Sequence, residues 1–522
     1  MIPSVTTPRS HLGAVDMANT PADDLLARLA GKHASNEGGD PWASLAATTP
    51  AHEPVQENSG GRGDEKLDSL LDRLNKMAAG ERGGAPTASA SMSSQPNLDD
   101  QPLDAFIPRE PASAREAGLT DTEIEALALK YLVSRGEASG RQISDQLQLP
   151  FLIVEEQLRK MKYDQLVVYK DTTVANDYVY YPTDLGRERG KRYSEHCTYF
   201  GAAPVTLKDY IESVKAQSLE KQHPSLDDLR RAFEDLLINP EMFRRLGPAV
   251  NSGRGLFLYG SPGNGKTSIA ERVTRAFGQH IWIPRAIGLD GEILRLFDPS
   301  NHEEAPLPQE SGIMHSTKLD RRWVRIKRPT IVVGGELTMD NLEITFNTAT
   351  GISEAPVQLK SNCGTLVIDD FGRQRMRTDE LLNRWIVPLE KRYDYLNMAN
   401  GKKIQVPFDQ LVIFSTNLEP KDLCDDAFLR RIPYKIEVGD PSESEFRQLF
   451  KIMCPLMGFE YHAEVIDYVV QEHYQKVDRP FRCCQPRDLL QQVRNLCLFE
   501  KEPLELSTSR FDAAVENYFA VM

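Results

Sequence analysis

The strongest constraint on this chain is a glycine-rich loop that follows an apolar strand and opens a helix. Residues 255–273 read GLFLYGSPGNGKTSIAERV, and the segment from Gly260 to Thr267 fits the pattern GxxxxGK[ST] at every position. Glycines let the backbone bend so that its N–H groups point at phosphate oxygens, and the helix directs its positive end at the same place. Lys266 supplies a point charge for the β- and γ-phosphates, and the Thr267 hydroxyl can bind Mg²⁺. The loop therefore predicts a site for a nucleoside triphosphate and magnesium.

Two further apolar strands end in polar residues. The segment TLVIDD at 365–370 ends in Asp369, which is placed to hold a metal ion between protein and phosphate oxygens, and in Asp370, where a base or water-orienting group would sit. The segment QLVIFSTN at 410–417 ends in Asn417. The predicted nucleotide-binding residues of the loop are Gly260, Ser261, Pro262, Gly263, Asn264, Gly265, Lys266, Thr267 and Ser268, and the predicted metal ligands are Thr267 and Asp369.

These motifs occur in the order found in the AAA+ P-loop ATPases, which residues 225 to 505 resemble. By this resemblance Asn417 is a γ-phosphate sensor that contacts the phosphate or the attacking water. The segment CDDAFLRRIPYKIEV resembles the one from which a neighbouring subunit's site receives an arginine, with Arg431 as the first choice and Arg430 as the second. Arg487, in QPRDLLQQVRN, resembles the second sensor, a lid arginine that reaches a phosphate of the nucleotide.

The resemblance implies ATP hydrolysis with Mg²⁺ by a homo-oligomeric ring, with a hexamer as the expected form. The catalytic residues would be Asp370, Asn417 and Arg431. AAA+ proteins most often have Glu where this chain has Asp370, which is one methylene shorter, so its reach to water is in question. A nucleotide-gated scaffold with little turnover is therefore an alternative. The segment IPRAIGLDGEILRLF gives no clean match to an aromatic-glycine pore loop, so peptide threading is not supported.

The expected fold class is α/β: an AAA+ P-loop sandwich with a helical lid, an α+β winged-helix domain and a disordered N-terminal tail. The tail is rich in Ala, Ser, Gly, Pro and acidic residues and has few aromatics. Two leucine-bearing pieces near 22–32 and 66–80 are interpreted as transient helices or as docking helices for a partner groove. The boundaries are 1–105 for the tail, 115–198 for the winged helix, 199–222 for a linker, 223–438 for the ATPase core with a β-hairpin insertion at about 318–362, and 439–522 for the lid and C-terminal helix.

Residues 115–198 have the pattern of three helices followed by a two-stranded wing. Thr120 and Glu123 have capping-box spacing at the first helix, and ISDQLQLPFLIVEEQLRKM resembles the helix-turn-helix pair of the winged-helix family. The third helix would read DNA with its N-terminal part, but that part is apolar and then acidic. Its cations, Arg159, Lys160 and Lys162, come late, where they suit phosphate contact better than base readout. We therefore favour a protein-interaction module over DNA binding.

Bulk composition bears on partners and compartment. The net charge of −14 repels nucleic acid and favours a protein partner. The seven cysteines form no CxxC pair, which fits reduced thiols in a cytoplasm. The sequence contains neither a run of roughly 20 apolar residues, as a membrane span needs, nor the pattern of a secretory signal. The expected location is the cytoplasm.

Two functions follow from these features. The first is a remodelling ATPase that acts on a protein partner or complex, with the winged helix and tail as adaptors. The second is a DNA-associated ATPase, a regulator or loader that uses the winged helix on DNA. The basic segment GRQRMR at 372–377 is compatible with contact to a neighbour's nucleotide, with contact to nucleic acid, or with a solvated loop.

Overall fold

The chain was analysed as a computed structural model that describes residues 106–172, 177–307 and 318–520. These residues fall into two compact units, one ending at Asp440 and the other beginning at Pro441. The predicted tail, residues 1–105, lies outside the described residues. None of the described helices is both long and apolar enough to cross a membrane.

The N-terminal part of the first unit is a small helical module with a three-stranded sheet. Its first two helices begin at capping boxes, in which Thr120 and Ser139 accept the N–H of the third helical residue and that residue's side chain accepts the N–H of the cap. The strands are antiparallel, in the order β1-β3-β2. The elements are α1 (Asp121–Arg135), β1 (Ala138–Ser139), α2 (Gly140–Leu147), α3 (Phe151–Tyr163), β2 (Val167–Thr172), β3 (Tyr178–Pro182) and α4 (Asp184–His196).

The rest of the first unit alternates strands and helices. From residue 205 to 333 the elements are β4 (Val205–Thr206), α5 (Leu207–Ala216), α6 (Leu226–Ala232), α7 (Pro240–Asn251), β5 (Leu256–Tyr259), α8 (Lys266–Val273), β6 (His280–Pro284), β7 (Ala286–Leu289), β8 (Glu292–Arg295), β9 (Trp323–Lys327) and β10 (Thr330–Val333). From 345 to 437 they are β11 (Thr345–Asn347), β12 (Ile352–Glu354), α9 (Val357–Lys360), β13 (Thr365–Ile368), α10 (Thr378–Lys391), β14 (Tyr393–Asn397), β15 (Lys403–Pro407), β16 (Leu411–Thr416), α11 (Pro420–Leu423), α12 (Asp426–Leu429) and β17 (Tyr434–Glu437).

A five-stranded parallel sheet forms the centre of this unit, in the order β10-β13-β16-β5-β17. Its side chains alternate between two apolar layers: Leu256 and Leu258 lie in one, and Phe257 lies in the other. The first layer includes Ile269 of α8 and the second includes Trp385 of α10. Because both faces are covered by helices, the strands are continuous apolar runs, as parallel sheets require. The unit is therefore a mixed α/β structure.

The stretch predicted to be a β-hairpin insertion, about 318–362, differs from that prediction. Thr330–Val333 within it is β10, a core strand that pairs in parallel with β13. It lies at the sheet edge, and Val332 is 40% exposed while Ile331 and Val333 are buried. This one-sided burial gives the alternation that the sequence analysis took for a hairpin. Inside the same stretch, β11 and β12 pair antiparallel, and β9 pairs antiparallel with β6, which precedes the stretch.

Residues 199–222, predicted to be a linker, are packed into the fold. β4 pairs in parallel with β7, at one edge of a second five-stranded sheet whose order is β11-β12-β8-β7-β4. Tyr210 and Val214 of α5 lie in the apolar cluster beneath this sheet. The hydroxyl of Tyr210 accepts a hydrogen bond from Asn362 at 2.8 Å. One buried face on an otherwise polar helix makes the segment resemble a linker in sequence.

A buried ion pair fastens the N-terminal module to this second sheet. Arg322 and Asp320 are 3% and 4% exposed, and the guanidinium Nη2 lies 2.8 Å from the carboxylate Oδ2. Arg322 Nη1 also donates to the carbonyl oxygens of Ala117, at 2.7 Å, and Pro204, at 3.1 Å. The ring of Phe106 packs on Trp323 with 5.0 Å between centroids. The module therefore has a fixed orientation on the rest of the first unit.

The second unit is a helical bundle. Its elements are α13 (Glu443–Leu456), α14 (Ala463–His473), α15 (Gln485–Glu500) and α16 (Thr508–Phe519). Ser442 caps α13 through a capping box with Glu445. Phe446, Phe450 and Phe511 are fully buried in a single apolar core. The bundle thus has a core of its own, as an independent domain needs.

We expect the substitution Arg322→Ala to destabilise the first unit by about 3–5 kcal/mol, because it leaves the Asp320 carboxylate buried without its cation. The matched control is Arg321→Ala, which removes an exposed pair with Asp145 at 2.8 Å and should cost about 0–1 kcal/mol. Urea unfolding followed by circular dichroism measures both. Equal losses in the two variants would contradict the anchoring role of Arg322.

Candidate nucleotide site

The carboxyl ends of three neighbouring core strands meet at one edge of the sheet. Tyr259 at the end of β5 pairs with Thr416 at the end of β16, and Phe414 of β16 pairs with Ile368 at the end of β13. Because these strands are parallel and in register, the loops that follow them leave the sheet side by side. These loops are the glycine loop after β5, the segment with Asp369 and Asp370 after β13, and the segment with Asn417 after β16. The sequence motifs therefore converge in space.

The glycine loop has backbone conformations that only glycine adopts freely. Gly260, Gly263 and Gly265 have φ angles of 132°, 84° and 81°. At Gly260 a Cβ would also lie 2.5 Å from the carbonyl oxygen of Val438, in the loop after β17. Gly265 is the N-cap of α8. These conformations turn the chain sharply from strand to helix, and the first N–H groups of α8 face out of the loop as donors for an anion.

The Lys266 ammonium joins two loops. Its Nζ donates to the carbonyl oxygens of Gly260, at 3.0 Å, and Ser261, at 2.9 Å, and to Oδ1 of Asn417, at 2.5 Å. Lys266 is 7% exposed. An amide whose oxygen faces a lysine presents its nitrogen as a hydrogen-bond donor. The pair therefore offers a buried cation and an amide donor at the same place.

Thr267 and Asp369 form the neighbouring contact. The Thr267 hydroxyl donates to Oδ2 of Asp369 at 2.9 Å, and the Asp369 amide donates to the carbonyl oxygen of Val333 at 2.8 Å. A hydroxyl and a carboxylate are hard oxygen ligands of the kind that Mg²⁺ binds together with phosphate and water. In the described residues no three His, Cys, Asp or Glu side chains cluster as a metal site of protein ligands alone. The donor set therefore fits magnesium carried by a nucleotide.

Asp370 stands at the exposed side of this edge in a left-handed conformation, with φ of 47°. The residue after it, Phe371, is fixed by two hydrogen bonds: its N–H donates to Ser415 at 2.7 Å, and its carbonyl accepts from the Thr416 hydroxyl at 2.9 Å. Phe371 itself is buried against Phe257 and Phe414. The backbone on the carboxyl side of Asp370 is thus held by β16.

The other predicted residues occupy different surroundings. Nε of Arg431 lies 3.5 Å from the Glu390 carboxylate, whereas the adjacent Arg430 is exposed. Arg487 lies in the first turn of α15 in the second unit, with its Nε 3.2 Å from Asp488. Ser268 lies in the first turn of α8, where its carbonyl oxygen accepts from Arg272 at 3.0 Å. The structure thus brings together the loop, Asp369, Asp370 and Asn417, while Arg431 lies beside Glu390.

Two contacts at the site involve residues that the sequence analysis did not single out. Asn264, in the loop, is buried, and its Nδ2 donates to Oδ1 of Asp440 at 2.7 Å. Gln374 donates from Nε2 to the carbonyl oxygens of Asp369 and Asp370. Asp440 is separated from the loop by 176 residues, and Gln374 lies in a basic segment that drew attention only for its charge. No sequence pattern indicates either contact.

Comparison with known proteins adds relatives to this geometry. The chain is 34% identical over 106 residues to an "AAA ATPase forming ring-shaped complexes" of Kocuria rhizophila, a match that covers 18% of each chain. It is 26% identical over 250 residues to the 26S proteasome regulatory subunit S10B homolog B of Arabidopsis thaliana, covering 46% of each. It is 39% identical over 62 residues to the 26S proteasome subunit RPT4 of Saccharomyces cerevisiae, covering 12% of this chain and 14% of that one.

These relatives support an AAA+ ATPase. ATP binding follows at the level of the family, and the parallel sheet fits the α/β fold of that family. The chain spans less than half the length of these relatives in each match. A family model described as a domain of unknown function (DUF8689) matches residues 442–517, which lie in the helical second unit.

We expect Lys266→Ala to weaken ATP binding strongly, because it removes the buried cation beside the loop carbonyls and Asn417. The loss of a buried charged partner costs about 2–5 kcal/mol, or roughly 30-fold or more in affinity. The matched control is Lys421→Ala, which removes an exposed lysine paired with Glu419 in the same unit. Titration with a fluorescent ATP analogue checks both variants. Unchanged affinity for the ATP analogue in the Lys266→Ala protein would show that the nucleotide does not bind at this edge of the sheet.

Proposed function

We propose that this protein hydrolyses ATP and uses the energy to remodel a protein partner or complex. The observation that carries the proposal is the convergence of Lys266, Thr267, Asp369 and Asn417 at one edge of a parallel sheet, within 2.5–3.0 Å of one another or of the glycine loop. A buried cation, an amide donor and hard oxygen ligands beside a phosphate-binding loop suit phosphoryl transfer better than nucleotide storage. The reaction proposed is transfer of the γ-phosphoryl group to water.

Each residue has a distinct role in this proposal. The loop N–H groups bind the phosphates, and Lys266 neutralises charge on the β- and γ-phosphates. Thr267 and Asp369 would hold Mg²⁺, which supplies charge neutralisation at the phosphate oxygens. Asp370 orients or deprotonates the attacking water, and Asn417 holds that water or the γ-phosphate in place with its amide N–H. Because the groups are already positioned, little reorganisation is needed at the reacting centre.

Two arginines complete the proposed site. Arg431, or in second place Arg430, reaches the nucleotide of a neighbouring subunit and stabilises charge on the transferred group. Arg487 acts as a second sensor from the helical unit. An arginine supplied between subunits requires a homo-oligomer, for which we propose a hexameric ring. The support is the Kocuria relative, whose name describes an ATPase that forms ring-shaped complexes.

We further propose that residues 115–198 are a winged-helix domain that binds protein. The order of three helices, a β2–β3 hairpin and a closing helix supports the fold. The outward side of α3 and the hairpin carries apolar groups: Leu152 is 69% exposed and Tyr163 is 88% exposed. Tyr169 stacks on Tyr178 with 4.2 Å between ring centroids. Exposed aromatic groups with apolar neighbours are common at protein interfaces.

The charges on the same face favour protein over DNA. Arg159 is paired with Glu155 at 3.1 Å, and Lys160 lies 2.9 Å from Glu156 and 3.1 Å from Asp121. Cations that are already neutralised by carboxylates gain little from phosphate contact. The DNA-associated ATPase, a regulator or loader, is therefore the second candidate. The N-terminal tail, as a second adaptor, belongs to the same proposal.

The proposed location is the cytoplasm, and the support comes from thiol chemistry. The seven cysteines are free thiols. Burial raises the pKa of Cys424 and of Cys454 to about 12, so both stay protonated at neutral pH. A protonated thiol reacts slowly, because the thiolate is the nucleophile. These cysteines therefore suit a structural role in a reducing compartment.

We expect Arg431→Ala to keep ATP affinity and to lower kcat by about 10³-fold or more, because an arginine finger acts only on the transition state. Glu390→Gln is the matched control, since it breaks the 3.5 Å contact and leaves the guanidinium.

A finger acts between subunits, so mixing the inactive Arg431→Ala and Lys266→Ala proteins should restore turnover. The readout is phosphate release. A monomer with full activity would contradict the finger, and loss in Arg430→Ala instead would transfer the role to Arg430.

We expect the full chain to show no specific affinity for duplex DNA, because Arg159 and Lys160 of α3 are already paired with carboxylates. Fluorescence anisotropy with a labelled duplex measures this between roughly 50 mM and 200 mM salt. The control is a protein with both Arg159→Ala and Lys160→Ala, which removes these two cations of α3 and keeps Lys162. A dissociation constant of about 1 μM or tighter that weakens in the control would favour the DNA-associated function.

A further inference from the structure

We propose that Gln374 is a positioning residue for the hydrolysis of ATP, because its side-chain amide fixes the backbone that carries Asp369 and Asp370. This inference rests on the proposed ATPase function and names a residue of that site. Gln374 lies in the basic segment at 372–377, where its arginine neighbours drew attention for their charge. Its uncharged side-chain amide donates hydrogen bonds to the carbonyl oxygens of Asp369 and Asp370.

The Gln374 side chain makes three hydrogen bonds to the loop. Its Nε2 donates to the carbonyl oxygen of Asp369 at 3.0 Å and to that of Asp370 at 3.1 Å. Its Oε1 accepts from the N–H of Gly372 at 2.8 Å. An amide has both donors and acceptors, so one side chain can bind both ends of this turn. A carboxylate of the same length could make only the contact with Gly372.

The other side of the same loop is fixed by the sheet. The N–H of Asp369 donates to Val333, and the N–H of Phe371 donates to Ser415. These bonds hold the two peptide groups that flank the aspartate pair on the strand side. Gln374 binds the carbonyls of Asp369 and Asp370, and the Asp370 carbonyl also accepts the N–H of Arg373 at 2.9 Å. Together they determine the path of the backbone from Asp369 to Phe371.

Such restraint is needed because Asp370 has φ of 47°, a conformation that a residue with a side chain seldom adopts. Strained backbone of this kind persists where the surroundings over-determine it, and it directs a side chain that would otherwise point elsewhere. The Asp370 side chain is also short, so a change of rotamer cannot bring its carboxylate to a distant water molecule. The position of the carboxylate therefore depends on the backbone. The Gln374 amide, together with the backbone bonds of Arg373 and Phe371, therefore fixes the position from which the Asp370 carboxylate extends.

The first test compares two substitutions of similar volume. Gln374→Met removes all three hydrogen bonds, and we expect kcat for ATP to fall by about tenfold to a hundredfold while KM changes little, as for a misplaced catalytic group. Gln374→Glu keeps the acceptor for Gly372 but loses both donors, so it should lose a similar factor. The matched control is Gln405→Met, at an exposed position on β15 in the same unit, which should keep the wild-type rate.

A double-mutant cycle separates positioning from general damage. If Gln374 acts through Asp370, then Gln374→Met should change the residual turnover of the Asp370→Asn protein by less than about twofold. A merely structural residue would lower turnover by the same factor in both backgrounds. Affinity for a fluorescent ATP analogue and the thermal midpoint are measured in all four proteins, and both should stay near the wild-type values in Gln374→Met.

The outcomes distinguish this inference from the proposed function. Wild-type turnover together with an unimpaired Gln374→Met protein, or with equal factors in the two backgrounds, would overturn the role of Gln374 and leave the ATPase intact. A wild-type protein that binds no ATP and releases no phosphate would overturn both. Loss of kcat that disappears in the Asp370→Asn background would support the positioning role.

Discussion

The structure of the site depends on one buried ammonium group. Lys266 Nζ joins the carbonyls of the glycine loop to Asn417, across a sheet in which β5 and β16 are neighbours. That contact requires the loop to bend back over the start of α8, which only glycines at positive φ permit. It also requires strands in parallel register, and hence helices on both faces of the sheet. The Lys266 contacts therefore depend on the glycine loop, on the parallel sheet and on the helices that cover both of its faces.

Much of the core could be predicted because its signals are local. The run before Gly260 and the run before Asp369 are apolar strands, and they are buried on both faces as such runs indicate. The motif residues needed no knowledge of distant contacts, since each follows its own strand and parallel strands present their ends at one edge. The glycine loop, Asp369, Asp370 and Asn417, which the sequence analysis assigned to one site, lie at one edge of the sheet.

The rest could not be predicted because it depends on pairing between distant segments. Thr330–Val333 alternates because it is an edge strand with one exposed position, and this pattern is indistinguishable from that of a hairpin. The segment at 199–222 is polar except for one face, and the partner strand that buries Tyr210 comes later in the chain. Gln374 contacts the Asp369 and Asp370 carbonyls, and Asp440 contacts Asn264, only because the fold brings these residues together. In each case the deciding partner is absent from the local sequence.

The buried Arg322 has a mechanical consequence. It clamps the N-terminal module to the start of β9, and β9 leads through two residues into β10. The last residue of β10, Val333, accepts the backbone N–H of Asp369. A force applied to the module by a bound partner therefore has a short, stiff route of about a dozen residues to the peptide beside the proposed magnesium ligand. A lever built in this way would carry strain in both directions, from the N-terminal module to the proposed nucleotide site and back.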